Sequence, residues 1–469
     1  MEDKRFANFS SLAFIISVLL SISACTPEQE IIDESPGEFI AFSSDTIFFD
    51  TLFTSVGSIT KRLRVFNPNK QAIKIPEINL AGGASSPYNM YVNGDEGFSF
   101  NDVVVFGKDS LLILVEVTID PQSQDLPFLV KDSINFRQGN ARQDIKLISW
   151  GQDANFLNNV ILGCDETWTA ERPYVIVNAV LVDSLCHLTL EKGTRVFFNN
   201  NASLFVKGQI EIRGDTADQV ILSSVRQDGI FENSSGQWNG IFFLEGSEGN
   251  IIDNAVISNG QVGLRIGSPD DNILPDVIVS NTIIKNMSQA GILAFTSDVF
   301  AYNSLIYNCG TYLVGNFAGG NYSYVHCTFT NQPNDFRRND ASVQFSDNII
   351  LADNSVLSDE LHLELINSII WGNMEDEFLV SLEDPTTSSL LIQNNILRST
   401  LEAFDTNDNI IGQETNFPGF SSPFQTKYSI DSLSIARDAG VQIGIEIDIR
   451  GFLRDEKPDI GAYEWKDSN

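Results

Sequence analysis

Between residues 250 and 400 the sequence repeats, and the spacing of that repeat restricts the fold more than any other feature. Asn254, Asn281, Asn303, His326, Asp347, Asn367 and Asn394 each stand two and three positions before a mostly apolar pair, such as Val256-Ile257, Ile283-Ile284 or Ile369-Ile370. A second Asn follows the first four anchors by five positions, at Asn259, Asn286, Asn308 and Asn331. Successive anchors are 27, 22, 23, 21, 20 and 27 residues apart. A period in this range marks a solenoid, and a unit so short has no room for a helix pair. Its apolar run of Ile and Val has the length and chemistry of a strand. Gly, Asn, Asp and Ser join the runs and favour tight turns. One coil cannot bury its own apolar face, so neighbouring coils must share a core. Parallel strands stacked about 4.8 Å apart set equivalent side chains above one another. A repeated Ile then becomes an apolar ladder, and a repeated Asn a hydrogen-bonded ladder at a bend. The expectation is an all-β chain containing a right-handed parallel β-helix with about three short strands per coil. The Asn residues are turn and ladder positions in this reading, not catalytic groups.

Upstream, residues 39–154 carry a different period. Leu111, Ile113, Val115, Val117 and Ile119 alternate, and Leu63 and Val65 alternate with Arg62 and Arg64. Turn signals such as Asn67-Pro68-Asn69 and Asp120-Pro121 separate the runs. Alternation with regular turns suits an immunoglobulin-like β-sandwich. Strand-length runs then follow at Leu188–Leu190, Val196–Phe198, Leu204–Val206 and Ile210–Ile212, with Gly193, Gly208 and Gly214 between or after them. Together with Gln237-Trp238-Asn239-Gly240-Ile241, these resemble the first coils of right-handed β-helix repeat proteins. The solenoid is therefore expected over 155–400.

The two ends of the chain carry a second resemblance. Lys4 and Arg5 precede an apolar stretch, Leu12 to Leu20, too short to span a bilayer. It ends in Ile22-Ser23-Ala24-Cys25, which resembles the lipobox of bacterial lipoproteins. The resemblance implies a signal peptide at 1–24, lipidation of Cys25 and anchoring in a membrane by several acyl chains. Residues 25–38 then form an acidic flexible tether, similar to those of surface-exposed lipoproteins of the outer membrane. At the other end, Asp438-Ala439-Gly440, Asp448, Gly451, Arg454 and Pro458-Asp459-Ile460-Gly461-Ala462-Tyr463-Glu464-Trp465 resemble the closing segment of surface lipoproteins with β-helix repeats. Ser434-Ile435-Ala436-Arg437 departs from that family, which has Pro before the Asp-Ala-Gly. Residues 401–469 are expected to cap the exposed end of the solenoid.

The charge narrows the partners. Lys and Arg number 29 against 62 Asp and Glu, for a formal charge of −33. That argues against nucleic acid, against a basic patch on anionic lipid, and against acidic polysaccharides unless a divalent cation intervenes. Of five cysteines, Cys25 is taken by the lipobox. Cys164 and Cys186 are 22 residues apart and Cys309 and Cys327 are 18 apart, close to one coil each, so both pairs are disulfide candidates. No Cys or His spacing suggests a metal site.

Chemistry is harder to find. Many β-helix proteins act on polysaccharides, but fold does not settle function. Glycoside hydrolysis needs two carboxylates at a set separation. Asp270-Asp271, in the polar loop 267–272, is a candidate pair for a catalytic or calcium-binding role, and no other cofactor is expected. The Gly-His and Arg-x-Lys motifs of polygalacturonase-like enzymes do not occur. Arg337-Arg338-Asn339-Asp340 is a lyase candidate that reads first as a solvated loop. Tyr312, Phe317, Tyr322 and Tyr324 lie in a Gly-rich stretch and either offer rings for sugar stacking or fill the core. The leading expectation is non-catalytic glycan binding or adhesion at the cell surface. A polysaccharide lyase or glycoside hydrolase, and a structural surface protein, are the alternatives.

Overall fold

The computed structural model describes residues 32–33, 40–54, 57–122, 125–138, 141–227, 229–267, 274–332, 335–412 and 417–467. Cys25 and the Asp270-Asp271 pair lie outside them. Every regular element among the described residues is a strand or a single 3-10 turn. The chain divides into two compact units at Gly151 and Gln152, with residues 122–127 belonging to the second.

The first unit holds two largely antiparallel sheets around one core. In one, Lys61–Phe66 and Tyr88–Val92 flank Ser110–Val117, with Leu63 opposite Ile113 and Met90 opposite Val115. In the other, Phe128–Gln138 lies between Ala72–Leu80 and Ala141–Gln152, so that Ile134 pairs with both Leu80 and Ile145. The alternation predicts the result: Leu63 and Val65 are buried while Arg62 and Arg64 face solvent. Each such buried aliphatic side chain contributes about 1.5–3 kcal/mol.

The second unit is a parallel β-solenoid built from two parallel sheets. Eleven strands form the first, from Asn155–Leu157 to Ile410–Gly412, each pairing with the strand one coil later. Two columns of side chains run through it in strict register. Ile257, Ile284, Ile306, Phe329, Ile370 and Leu397 stack inward into the main core. Val256, Ile283, Leu305, Thr328, Ile369, Ile396 and Ile410 stack outward. The second sheet holds two strand rows per coil, fused where Ala290–Tyr302 and Tyr312–Val325 run through both. Left-handed residues Thr296 (φ 44) and Ala318 (φ 65), followed in the second strand by Gly319 and Gly320, bend these long strands at the corner.

The anchor Asn residues make the turn from the second sheet into the first. Asn254, Asn281, Asn303, His326, Asn367 and Asn394 all take the left-handed conformation, with φ between 48 and 53. Asn tolerates this region because its short amide can bond locally. The amides also bond between coils. Asn303 donates to Asn281 at 3.2 Å, Asn281 to Asp253 at 2.9 Å, and Asn367 to the His326 ring at 3.0 Å. The second series behaves alike, with Asn308 donating to Asn286 at 2.9 Å.

Asp347 is not a member of this ladder. Thr328–Thr330 pairs directly with Ile369–Trp371, so His326 to Asn367 is one coil of 41 residues rather than two. The chain leaves the coil at Asp347, whose carboxylate accepts the backbone N–H of Glu383 and of Asp384 at 2.8 and 2.9 Å. Ile349 and Ile350 belong to an outlying antiparallel hairpin, Asn348–Ile350 with Val356–Ser358. An apolar pair after an acidic residue imitated the repeat at a position where the backbone takes another course.

The C-terminal segment also departs from expectation. Residues 401–412 add one further strand, and Phe404 packs on Phe378 (4.7 Å) beside the last coils. Residues 417–465 do not cover the end of the stack. They run back along the outer face of the first parallel sheet. Asn394 donates to Ala439 O at 3.4 Å, Asn367 to Val441 O at 2.7 Å, and Asn303 to Ile447 O at 2.7 Å. Ile449, Ile460, Ala462, Phe420 and Tyr428 form one core with Leu305, Ile369 and Ile396. The cause is the outward apolar column, whose side chains leave water only where another segment covers them. The tail is held by Arg454, which is buried, pairs with Glu464 at 3.3 Å and donates to Asn303 Oδ1 at 2.9 Å.

Cys164 and Cys186 form a disulfide, with Cα atoms 4.4 Å apart. Cys309 and Cys327 are buried free thiols. Cys309 ends a strand six positions after its anchor, while Cys327 directly follows its own, so the two do not occupy equivalent places in the coil. Burial pushes both thiols up to about 12.

Candidate functional site

The outer face of the second sheet is not covered by the tail, and its side chains form two columns. Five residues before the anchors stand Asp276, Asp298, Asn321, His362 and Ser389; the last four are paired coil on coil, and Asp276 N donates to Asp298 O at 2.8 Å. Three residues before the same anchors stand Ile278, Phe300, Ser323, Glu364 and Leu391. Alternation turns both positions to the same face, because they differ by two residues. The last four members of each column line a cavity of about 540 Å³, with Pro275 at its edge and Leu390 at the far end.

Hydrogen bonds between coils hold this surface in place. Asp298 accepts from Asn321 N at 3.1 Å and from Asn321 Nδ2 at 2.7 Å. Asp298 N in turn donates to Asp276 at 3.0 Å. Ser323 donates to Glu364 at 3.2 Å, and His362 Nδ1 bonds the Ser389 hydroxyl at 2.8 Å. The Glu360 carboxylate lies 3.6 Å from His362 Nε2. Donors and acceptors thus alternate with the apolar surfaces of Phe300 and Leu391. Among the described residues no Lys or Arg lines the cavity. Among the described residues no group of His, Cys, Asp and Glu is arranged to hold a metal.

That chemistry suits hydrogen bonding to a polyol. Among the described lining residues, Asp298 and Glu364 carry the carboxylates. They are two strands apart across the sheet and two residues apart along it, a Cα separation of about 12 Å. Both carboxyls lean toward the strand between them, Asp298 accepting from Asn321 and Glu364 from Ser323.

The residues singled out in the sequence fall elsewhere. Tyr322 and Tyr324 are buried in the main core and offer no ring to a sugar. Tyr322 OH donates to Gly319 O at 2.9 Å, and the Tyr324 hydroxyl accepts from Asn316 at 2.8 Å. Inward-facing positions of a strand are core positions, and both rings are inward. Tyr312 and Phe317 are half-buried and pack edge to face at 5.4 Å. Arg338 is not in a solvated loop. It forms a buried pair with Glu377 at 2.6 Å, bidentate and almost without exposure. His326 is a neutral ladder residue, its ring held well below the usual value by burial and by the nearby Arg454.

The groove itself escaped sequence reasoning, although its signal is present. Counting back five and three positions from Asn303, His326, Asn367 and Asn394 returns all eight column residues of the cavity. The Asp347 anchor obscured this, since it placed a false coil between the second and third rungs.

No family model and no curated protein matches the sequence. Among solved structures, a family 123 glycoside hydrolase from Clostridium perfringens, described for glycolipid glycan hydrolysis, matches over 24% of this chain and 25% of its own, with 6% identity and a TM-score of 0.18. The chain therefore spans about a quarter of that protein, and so slight a likeness carries no argument.

Proposed function

We propose that this is a lipid-anchored, surface-exposed lipoprotein of the outer membrane that binds glycans without cleaving them. The groove carries the reading: a cavity of about 540 Å³ lined by hydroxyl, amide, imidazole and carboxylate groups with interleaved apolar surface. A few placed polar groups within an apolar concavity are the ordinary make-up of a ligand site. The lipobox at Cys25 supports the anchor, and the two-sheet first unit supports an immunoglobulin-like spacer between membrane and solenoid. The solenoid is right-handed in this reading, as nearly all parallel crossovers are.

A glycan array probed with the full chain in detergent tests the binding, with neutral and acidic polysaccharides side by side. Hits confined to neutral glycans are expected. An array without hits would leave the protein a structural element of the surface. Reproducible release of products from any polysaccharide would restore the lyase or hydrolase alternative. Palmitate labelling tests the anchor: it is expected in the native chain and absent in Cys25→Ala, and equal labelling of both would refute it.

A further inference from the structure

The geometry points to a linear, uncharged glycan lying parallel to the stacking axis of the solenoid, its successive sugars matched to successive coils. This rests on the glycan-binding reading. The cavity is lined by both columns in four consecutive coils, from Asp298 and Phe300 to Ser389 and Leu391. Coils rise by about 4.8 Å, so four rungs extend over about 14 Å, while the two columns lie only about 7 Å apart. The site is long along the axis and narrow across it. A single sugar would meet one or two rungs and leave the rest of the cavity unused. A chain crossing the coils at right angles would meet Ser323 or Glu364 but not both.

Charge sets the chemical class. Asp298 and Glu364 occupy the first and third rungs, and among the described residues no cationic one lines the cavity. A uronic-acid chain would bring a carboxylate against each of them, and the whole protein carries −33. Hydroxyl groups, which both donate and accept, fit the alternating Asn321, Ser323, His362 and Ser389. The ends differ. The Asp298 end is walled by Phe300 and Pro275, while at the Ser389 end Leu391 is 40% exposed. The groove therefore distinguishes the two directions of a glycan.

The test is calorimetric titration of the full chain with neutral gluco-, manno- and xylo-oligosaccharides from monomer to hexamer, and with uronate oligomers of the same lengths. For at least one neutral series, affinity should rise severalfold with each unit up to the tetramer and then level off. Glu364→Gln and His362→Ala change groove-facing groups, and each should weaken the tetramer about tenfold while circular dichroism shows the β-fold retained. Affinity that does not depend on length would overturn the axial arrangement while leaving glycan binding in place. Uronate oligomers binding as tightly as neutral ones would overturn the assigned class. No binding by any series would remove the glycan reading itself and this inference with it.

Discussion

Replacing Arg454 with Met should loosen the C-terminal tail without unfolding the solenoid. Arg454 and Glu464 have side chains only 1% exposed, and they pair at 3.3 Å. The guanidinium also donates to Asn303 Oδ1 at 2.9 Å and to Gly461 O at 3.0 Å. Removing one partner of a buried ion pair costs about 3–5 kcal/mol, because the other charge is left in a poor solvent. Glu464 keeps two backbone donors, Asp455 N at 3.1 Å and Asp459 N at 3.0 Å, so the lower end, about 3 kcal/mol, applies. If the tail opens as its own unit, that figure raises its open population on the order of a hundredfold. Hydrogen exchange followed by mass spectrometry reads this at Gly461 N and Ala462 N, which bond Asn367 O at 2.7 Å and Thr328 Oγ1 at 3.0 Å. Their exchange should accelerate by about that factor, while amides of Leu63 and Ile113 in the first unit keep their rates. Adding Glu464→Gln should recover part of the loss, since the stranded charge is gone. Unchanged exchange at Gly461 and Ala462 in Arg454→Met would refute the claim that this pair holds the tail.

Three further outcomes are expected. Desolvation raises the Asp459 carboxyl from 3.8 to about 6, and a group raised on folding stabilises below the lower value and loses that contribution as pH climbs through the upper one. Tail amides should therefore exchange more slowly at pH 5 than at pH 7.5 after correction for intrinsic rates, and Asp459→Asn should flatten the difference. Cys186→Ser opens a bridge across 22 residues, a loss of about 3 kcal/mol by loop-closure entropy. It should lower the urea midpoint of the second unit as much as reduction of the native protein does. Asn281 has φ 48 and donates to Asp253; Ala and Gly both lose that bond, but only Ala resists the left-handed backbone. Asn281→Ala should thus be less stable than Asn281→Gly by about 1 kcal/mol, and equal denaturation midpoints would sink the turn argument.

Much of the architecture was legible because it rests on periodicity. The apolar pairs after Asn254, Asn281, Asn303, Asn367 and Asn394 declared both the stacking and its register, and Leu111 to Ile119 declared the alternation of the first unit. What failed were positions where chemistry resembled the repeat but the backbone did not. Asp347 with Ile349 and Ile350 fitted the pattern by composition, yet only pairing partners could show that Thr328 meets Ile369 directly. The path of the tail was hidden for another reason. The outward column Ile283, Leu305, Ile369 and Ile396 was visible as apolar, but a strand run does not say which of its faces is inward, and only an outward apolar face demands a cover. The ring residues failed the same way: Tyr322 and Tyr324 differ from Asn321 and Ser323 by one position, and one position is the whole difference between core and groove. The cavity residues had no motif of their own, only a constant offset from the anchors.

The returning tail also limits how such a protein can change in size. Repeat arrays ordinarily lengthen or shorten by duplication, since each unit touches only its neighbours. Here one stretch of chain is pinned to Asn394, Asn367 and Asn303 at once. An extra coil inserted between those points would stretch the tail off at least one of them. The tail acts as a gauge laid against the stack: variation is tolerated as side excursions, like the hairpin after Asp347, and resisted in the number of storeys.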